Sequence, residues 1–368
     1  MTGSPRADAA GRAVAGKVCG IVERYREWLP LPDEAMAVSL GEGDTPLVRL
    51  QRLEARWGLR VPLFAKVEGM NPTGSFKDRG MAVAVTLAVH EGARAVVCAS
   101  TGNTAASAAA YAARAGLQAL VVLPQGAVAP GKLAQAVAYG AMVAEVEAGF
   151  DAALAAVREL ARREPVVLVN SVNSARLEGQ KTAAFEICDQ LGEAPGYLAI
   201  PVGNAGNITA YWKGFCEYFG RARVRTRPKM LGFQARGAAP LVLGRPVQEP
   251  QTVASAIRIG NPVGWEGAMR AREESGGLID AVSDQAILDA QALLARTEGI
   301  FCEPASAASL AGVHQLAVQG YFQEAKGPVV CVLTGNGLKD PERAFDMGER
   351  RRRVAPDPRA LAALLGVA

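Results

Sequence analysis

Histidine is almost missing from this chain: His90 and His314 are the only two among 368 residues. Histidine-dependent triads and histidine-rich metal centres therefore have little to work with. Both lie in helical-looking stretches, where a satisfied structural side chain is the ordinary reading. The six cysteines, at positions 19, 98, 188, 216, 302 and 331, form no CxxC pair and no metal-ligand spacing. They read as small buried residues in a reducing compartment, and a zinc site is not expected. The chain also lacks the GxGxxG fingerprint of dinucleotide binding and the GK[ST] ending of a Walker A loop, so a nucleotide is not the ligand of first choice. No apolar run is long enough to cross a membrane, and the opening MTGSPRADAAGRAVAGK has no signal-peptide core. Residues 1–16 read as a flexible leader of a cytoplasmic protein. A formal charge of +4 is small and evenly spread, which gives no footing for nucleic acid but would not repel an anionic substrate. The run Arg350 to Arg353 reads as a solvated helix face.

What the chain has is an ordinary globular composition, half apolar and 21% charged, at a length that favours two domains or one large unit with an insertion. Short β-rich runs alternate with alanine-rich helical stretches. RAVVCAS precedes TAASAAAYAARAG, LQALVVLP precedes GKLAQAVAYG, AMVAEVE precedes FDAALAAVRELARR, and PVVLVNS follows. The pattern resumes with GYLAIPVG, a helix at about 207–219, KMLGFQA and finally GPVVCVLTG. Short connections between such elements imply parallel βαβ units. The expected fold class is α/β with two open parallel-sheet domains, a smaller one over residues 66–164 and a larger one built from 17–65 plus 165–368. Residues 236–262 give few signals and read mostly as loop.

In open α/β sheets, ligands bind beyond the carboxyl ends of the strands. Three strand exits here are rich in glycine and small polar residues: Ser100-Thr101-Gly102-Asn103-Thr104, Gly203-Asn204-Ala205-Gly206-Asn207 and Thr334-Gly335-Asn336-Gly337. The first could be an ordinary helix N-cap. The second is more specific, because closely spaced glycines let several N–H groups converge at a helix N-terminus, an arrangement suited to a phosphate. Lys77 stands in NPTGSFKDRG, after a Pro-Thr-Gly-Ser turn and beside Phe76. A loop lysine is solvated by default. A phosphate cradle, a lysine on a turn between domains and no histidine base together suggest pyridoxal phosphate, whose aldehyde requires a lysine and whose ring serves as an electron sink. Phe76 would shield the lysine, and Asp78 with Arg79 would pair structurally.

NPTGSFKDRG, STGNTAASAAAYAARAG, NSVNSARLEGQKT, PVGNAGNITA, AIRIGNP, CEPASAAS and LTGNGLKDP together resemble the short form of the threonine synthases, within the tryptophan synthase β-like (fold type II) pyridoxal phosphate enzymes. The resemblance spans about residues 40–345. SFK-type lysine turns occur across the whole group, so Lys77 alone identifies only the group. STGNTAAS and GNAGN depart from the SxGNHAQG-like and GGGGL-like loops usual in relatives that deaminate threonine or serine. The resemblance implies an active site between the domains, with the larger one binding the cofactor and the smaller one mobile. Lys77 would hold the cofactor and shuttle protons. Asn103 would bond the ring hydroxyl, Gly203 through Asn207 the cofactor phosphate, and Thr334 would face the pyridine nitrogen. Ser100, Thr101 and Thr104 would contact the substrate's amino-acid end or its phosphate, and Asn170, Ser171 and Arg176 would form a second anion site. Without the resemblance, Arg176 reads equally well as a surface salt bridge. Asn336 stands where some relatives carry histidine.

The implied reaction converts O-phospho-L-homoserine and water to L-threonine and phosphate, by γ-elimination and β-addition of water. A homodimer and no membrane or nucleic-acid partner are expected with it. An ammonia-lyase acting on threonine or serine, and a non-catalytic carrier of pyridoxal phosphate, remain as alternatives.

Overall fold

The computed structural model describes residues 19–100, 102–125, 130–147, 150–340, 353–354 and 356–365. The expected leader, Thr101 and Arg350 to Arg352 lie outside them, and Arg353 is exposed in a non-helical stretch. In chain order, α1 (Ile21–Arg24), β1 (Leu47–Arg49), α2 (Gln51–Trp57) and β2 (Leu63–Val67) come first, followed by α3 (Lys77–His90). Then come β3 (Ala95–Ala99), α4 (Asn103–Ala115), β4 (Gln118–Pro124), α5 (Pro130–Ala138), β5 (Met142–Val146), α6 (Phe150–Arg163), β6 (Val166–Leu168) and α7 (Ser174–Leu191). The rest contains β7 (Tyr197–Pro201), α8 (Gly206–Gly220), β8 (Lys229–Ala235), α9 (Pro240–Leu243), α10 (Trp265–Ser275), β9 (Leu278–Val282), α11 (Asp284–Glu298), α12 (Pro304–Val318) and β10 (Val329–Leu333).

The strands form two sheets, ordered β1-β2-β10-β7-β8-β9 and β5-β4-β3-β6. Every pairing is parallel except that of β1 with β2, so the larger sheet is mixed and carries one antiparallel edge strand. Because Val166 pairs with Ala95 and Leu168 with Val97, β6 extends the smaller sheet past the expected limit at residue 164. Residues 66 and 67, expected in the smaller unit, end β2 of the larger sheet. Between residues 236 and 262 the described structure is mostly irregular, with only short helical turns, as expected.

Side-chain alternation along each strand separates the cores. In β10, Val330 and Val332 join a core containing α3, α4, α7 and α8, whereas Val329, Cys331 and Leu333 face the core beneath α2, α11 and α12. In β3, Val96 and Cys98 join that first core, whereas Val97 and Ala99 pack with Ala153 and Val157 of α6. One apolar core is thus continuous between the two sheets.

Two glycines allow α3 and α7 to approach closely. A Cβ at Gly80 would lie 2.8 Å from the Arg176 carbonyl oxygen, and one at Gly179 would lie 2.0 Å from that of Arg79. Beneath this crossing lies a buried ion network. Arg79 donates to both carboxylate oxygens of Glu68 and of Glu186, and Lys66 donates to Glu186 at 2.9 Å. Burial opposes the guanidinium charge, but Glu186 and Glu68 outweigh it and hold Arg79 above its ordinary range. Asp78 and Arg79 are structural, as expected, although they do not pair with each other. Asp78 accepts from Thr73 N at 2.7 Å and from the hydroxyls of Thr73 and Ser107 at 2.6 Å. Burial pushes its carboxyl up to about 6, against these three donors.

Candidate active site

Lys77 is the first residue of α3 and follows a turn docked across the exit of β10. Phe76 N donates to Thr334 O at 3.0 Å, Asn336 N donates to Gly74 O at 2.9 Å, and Gly74 sits at φ 87°. Asp78, fixed by Thr73 and Ser107, ties the turn to α4. The Lys77 amine lies 4.0 Å from the centre of the Phe76 ring, which gives the expected shield. Burial, with the charge of Arg176 added to it and that of Glu303 opposing it, lowers the amine to about 7.

Half of this amine is therefore neutral near pH 7, where an ordinary lysine is almost wholly protonated. Brief labelling of the ligand-free protein with an amine-selective reagent should modify Lys77 with a pH midpoint of about 7. Reactivity should rise with pH through that midpoint, because only the neutral amine reacts, and peptide mapping would show Lys77 modified ahead of the exposed Lys229 and Lys326. A midpoint in the usual lysine range would show that burial does not tune this amine.

Arg176 stands in the first turn of α7, only 2% exposed. Its Nη1 donates to Val169 O at 3.0 Å, but its buried Nε has no partner and no carboxylate pairs with it among the described residues. Burial lowers the guanidinium to about 10, so it remains charged at neutral pH. The reading of Arg176 as a surface salt bridge is thus set aside. A buried arginine without a counter-ion is costly unless an anion arrives.

The exit of β7 forms a second place for an anion. Ala205 sits at φ 63°, a left-handed conformation unusual without glycine, and Gly206 opens the 15-residue α8. Asn207 is 8% exposed, yet both polar atoms of its side chain lack partners. A Cβ at Gly206 would make only an ordinary contact, 3.6 Å from Leu177 Cδ2, so packing does not require glycine there. Gly203 differs, since a Cβ there would lie 2.9 Å from Ile257 Cα. N–H groups at a helix start without a side-chain cap, together with the orphaned Asn207 amide atoms, fit a phosphate.

Several expected contact residues act as braces. Asn170 accepts from Ala99 N and donates to Ala99 O, each at 2.9 Å, so its amide holds the exit of β3. Asn204 donates to Ser171 Oγ and accepts from Val263 N at 2.7 Å, which spends its side chain within the loop. Ser171 keeps its own hydroxyl hydrogen. Ser100 and Thr104 are half-buried at the β3 exit. Thr334, 5% exposed, pairs through its hydroxyl with Ser306 Oγ at 2.9 Å, and Ser306 also accepts from Gly335 N.

Glu303 and Ser306 have no assigned role from the motifs, although CEPASAAS marks their position. Asn103 Nδ2 donates to the two oxygens of Glu303 at 3.3 and 3.1 Å. An acid directly before a proline-started helix is the one sequence signal that points to Glu303. Among the described residues no cluster of His, Cys, Asp or Glu could hold a metal ion.

Residues 38–335 match the family described as pyridoxal-phosphate dependent enzymes. The chain is 55% identical to the threonine synthase of Halalkalibacterium halodurans, over 92% of this chain and 94% of that protein. It is 54% identical to that of Mycobacterium tuberculosis over 95% and 96%, and 51% identical to that of Methanocaldococcus jannaschii over 94% and 87%. Among solved structures, maize serine racemase superposes with a TM-score of 0.70 at 21% identity, covering 82% of this chain and 91% of that one. The processed form of threonine deaminase isoform 2 from Solanum lycopersicum gives 0.69 at 21%, covering 87% and 98%. These two structures bear on the fold alone, whereas the curated relatives match nearly the whole length. That similarity over nearly the whole length settles the kinship: this chain belongs to the pyridoxal-phosphate dependent enzymes and, within them, to the threonine synthase family.

Proposed function

We propose that this protein is a threonine synthase, a carbon-oxygen lyase that converts O-phospho-L-homoserine and water to L-threonine and phosphate. The observation that carries the substrate is Arg176. In this reading the exit of β7 takes the cofactor phosphate, so the buried Arg176 cation without a counter-ion calls for a second anion, which O-phosphohomoserine has and threonine or serine lacks.

In this reading the Gly203–Asn207 loop holds the cofactor phosphate, through backbone N–H groups and the Asn207 amide. Asn103 meets the ring hydroxyl and Thr334 the ring nitrogen. When bound, pyridoxal phosphate supplies an aldehyde for the Lys77 amine and an electron-withdrawing ring. The freed Lys77 amine takes the proton from the substrate's Cα and passes it to the substrate phosphate, then takes one from Cβ and gives it to Cγ once the protonated phosphate has left. When the hydroxyl of water adds at Cβ, the remaining proton of that water returns to Cα by way of the same amine. An amine poised at about 7 can serve as both base and acid at neutral pH, so no histidine is required. Arg176 orients the substrate phosphate and stabilises it as it leaves Cγ, with the Ser171 hydroxyl beside it. Ser100, Thr101 and Thr104 meet the amino-acid end or the phosphate, and Asn170 holds the end of β3 at Ala99.

The smaller unit closes over the substrate to hold water back until it adds at Cβ. Supporting this, Gln135 of α5 donates to Thr73 O at 3.1 Å, and Lys339, beyond β10, donates to the same oxygen at 3.0 Å. A homodimer in the cytoplasm belongs to the same reading. No helix among the described residues is long and apolar enough to cross a membrane.

Incubating the cofactor-loaded protein with O-phosphohomoserine should release phosphate and threonine in equal amounts. A 2-oxo acid formed from threonine or serine, without threonine synthesis, would assign the protein to the ammonia-lyases. Cofactor binding without turnover would make it a carrier.

A further inference from the structure

Glu303 is a buried acid without an ordinary structural use. It occupies the position before Pro304 that starts α12, yet its side chain caps no N–H of that helix. It is 6% exposed, and the only side-chain hydrogen bonds found for its carboxylate among the described residues are those from Asn103 Nδ2. Room for it depends on Gly335, where a Cβ would lie 2.6 Å from the Glu303 carboxyl carbon. Burial raises its carboxyl, while the Asn103 amide and the charges of Lys339 and Lys77 oppose that rise. The bond also spans the two units, since Asn103 opens α4 behind the smaller sheet and Glu303 precedes α12 on the larger one.

An asparagine amide has two ends of nearly equal shape, so packing alone does not decide which faces a ligand. An ionised carboxylate accepts only. It therefore draws Nδ2 toward itself and leaves the second N–H of that nitrogen for another acceptor.

We propose that Glu303 is a positioning residue, whose carboxylate fixes the Asn103 amide so that one N–H is presented to the oxygen substituent of the cofactor ring. This rests on the reading that Asn103 faces the cofactor.

The test is a double-mutant cycle on the full-length enzyme, read by fluorescence titration of the apoprotein with pyridoxal phosphate and by the visible absorbance of the bound cofactor, both without substrate. Asn103→Ala should weaken binding by about tenfold, the scale of one charge-assisted hydrogen bond, and shift the absorbance. Glu303→Ala should reproduce most of both changes, and the double variant should be no worse than Asn103→Ala alone. Glu303→Gln should restore much of the parent spectrum, because its carbonyl oxygen can still accept from Asn103 Nδ2. Gly335→Ala, which displaces the carboxylate while keeping it, should give the same shift and serves if Glu303→Ala fails to fold. Additive losses in the cycle, or a parent-like spectrum in both Glu303→Ala and Gly335→Ala, would overturn the positioning role alone. An unchanged affinity and spectrum in Asn103→Ala would overturn the placement of Asn103 and the inference with it.

Discussion

Lys77→Ala should abolish the borohydride-reducible link between protein and cofactor, remove the visible absorbance that accompanies it, and lower turnover by about three orders of magnitude or more. The size of the effect follows from one amine serving as both covalent anchor and proton carrier. Among the described residues no other buried lysine is placed to replace it. Lys66 is buried, but its amine donates to Thr45 O, Glu186 and Gln190. Lys181 is paired with Glu178 and Glu217, and Lys339 is held by Thr73 and Gln135. Lys77 alone among these four has no hydrogen bond or ion pair from its amine to another described residue, and it is the one beside Arg176. Mass mapping after borohydride reduction, alongside steady-state assays of the variant, would decide the matter. A reducible link surviving in native Lys77→Ala, with most of its activity, would place the cofactor elsewhere.

Both sheets and the order of the strand exits were legible in the sequence, because β3, β4, β7, β8 and β10 are buried apolar runs bounded by turn residues. Three strands were not legible. Leu47–Arg49 is too short to carry a pattern, Asp280 interrupts Leu278–Val282, and Lys66 interrupts Leu63–Val67. The charge of Lys66 is tolerated because Glu186, on α7, meets it in the folded chain. Short-range periodicity cannot show such a partner.

The site divides in the same way. Lys77, Asn103 and the Gly203–Asn207 loop stand out because their chemistry is local to a motif. Asn170, expected in the second anion site, instead spends its amide on the backbone of Ala99, a use that appears only when β6 pairs beside β3. Glu303 was passed over because its partner, Asn103, is 200 residues away. The departure at Asn336 also has a local meaning, since its side chain accepts from Leu338 N and caps a short helical turn.

Arg176→Ala should leave cofactor binding close to the parent level while kcat/KM for O-phosphohomoserine falls by roughly two orders of magnitude or more, because a lost charge-assisted bond to a phosphate of about 1.5–3 kcal/mol accounts for one to two orders and misplacement of the substrate adds to that. Two further readouts separate this from a structural role. Arg176 has no ion-pair partner among the described residues, so its burial opposes folding, and Arg176→Met should melt no lower than the parent in the apo form. A purely structural arginine would give the opposite result. Arg176 also lowers the Lys77 amine through its charge, so its removal should move the labelling midpoint of Lys77 up from about 7. Arg176→Lys should recover that midpoint in part but little of the activity, because an ammonium lacks the planar fork of donors that the guanidinium offers a phosphate. Loss of cofactor together with activity in Arg176→Ala would assign the arginine to the cofactor phosphate instead. An unmoved Lys77 midpoint would show that the two charges do not share one site.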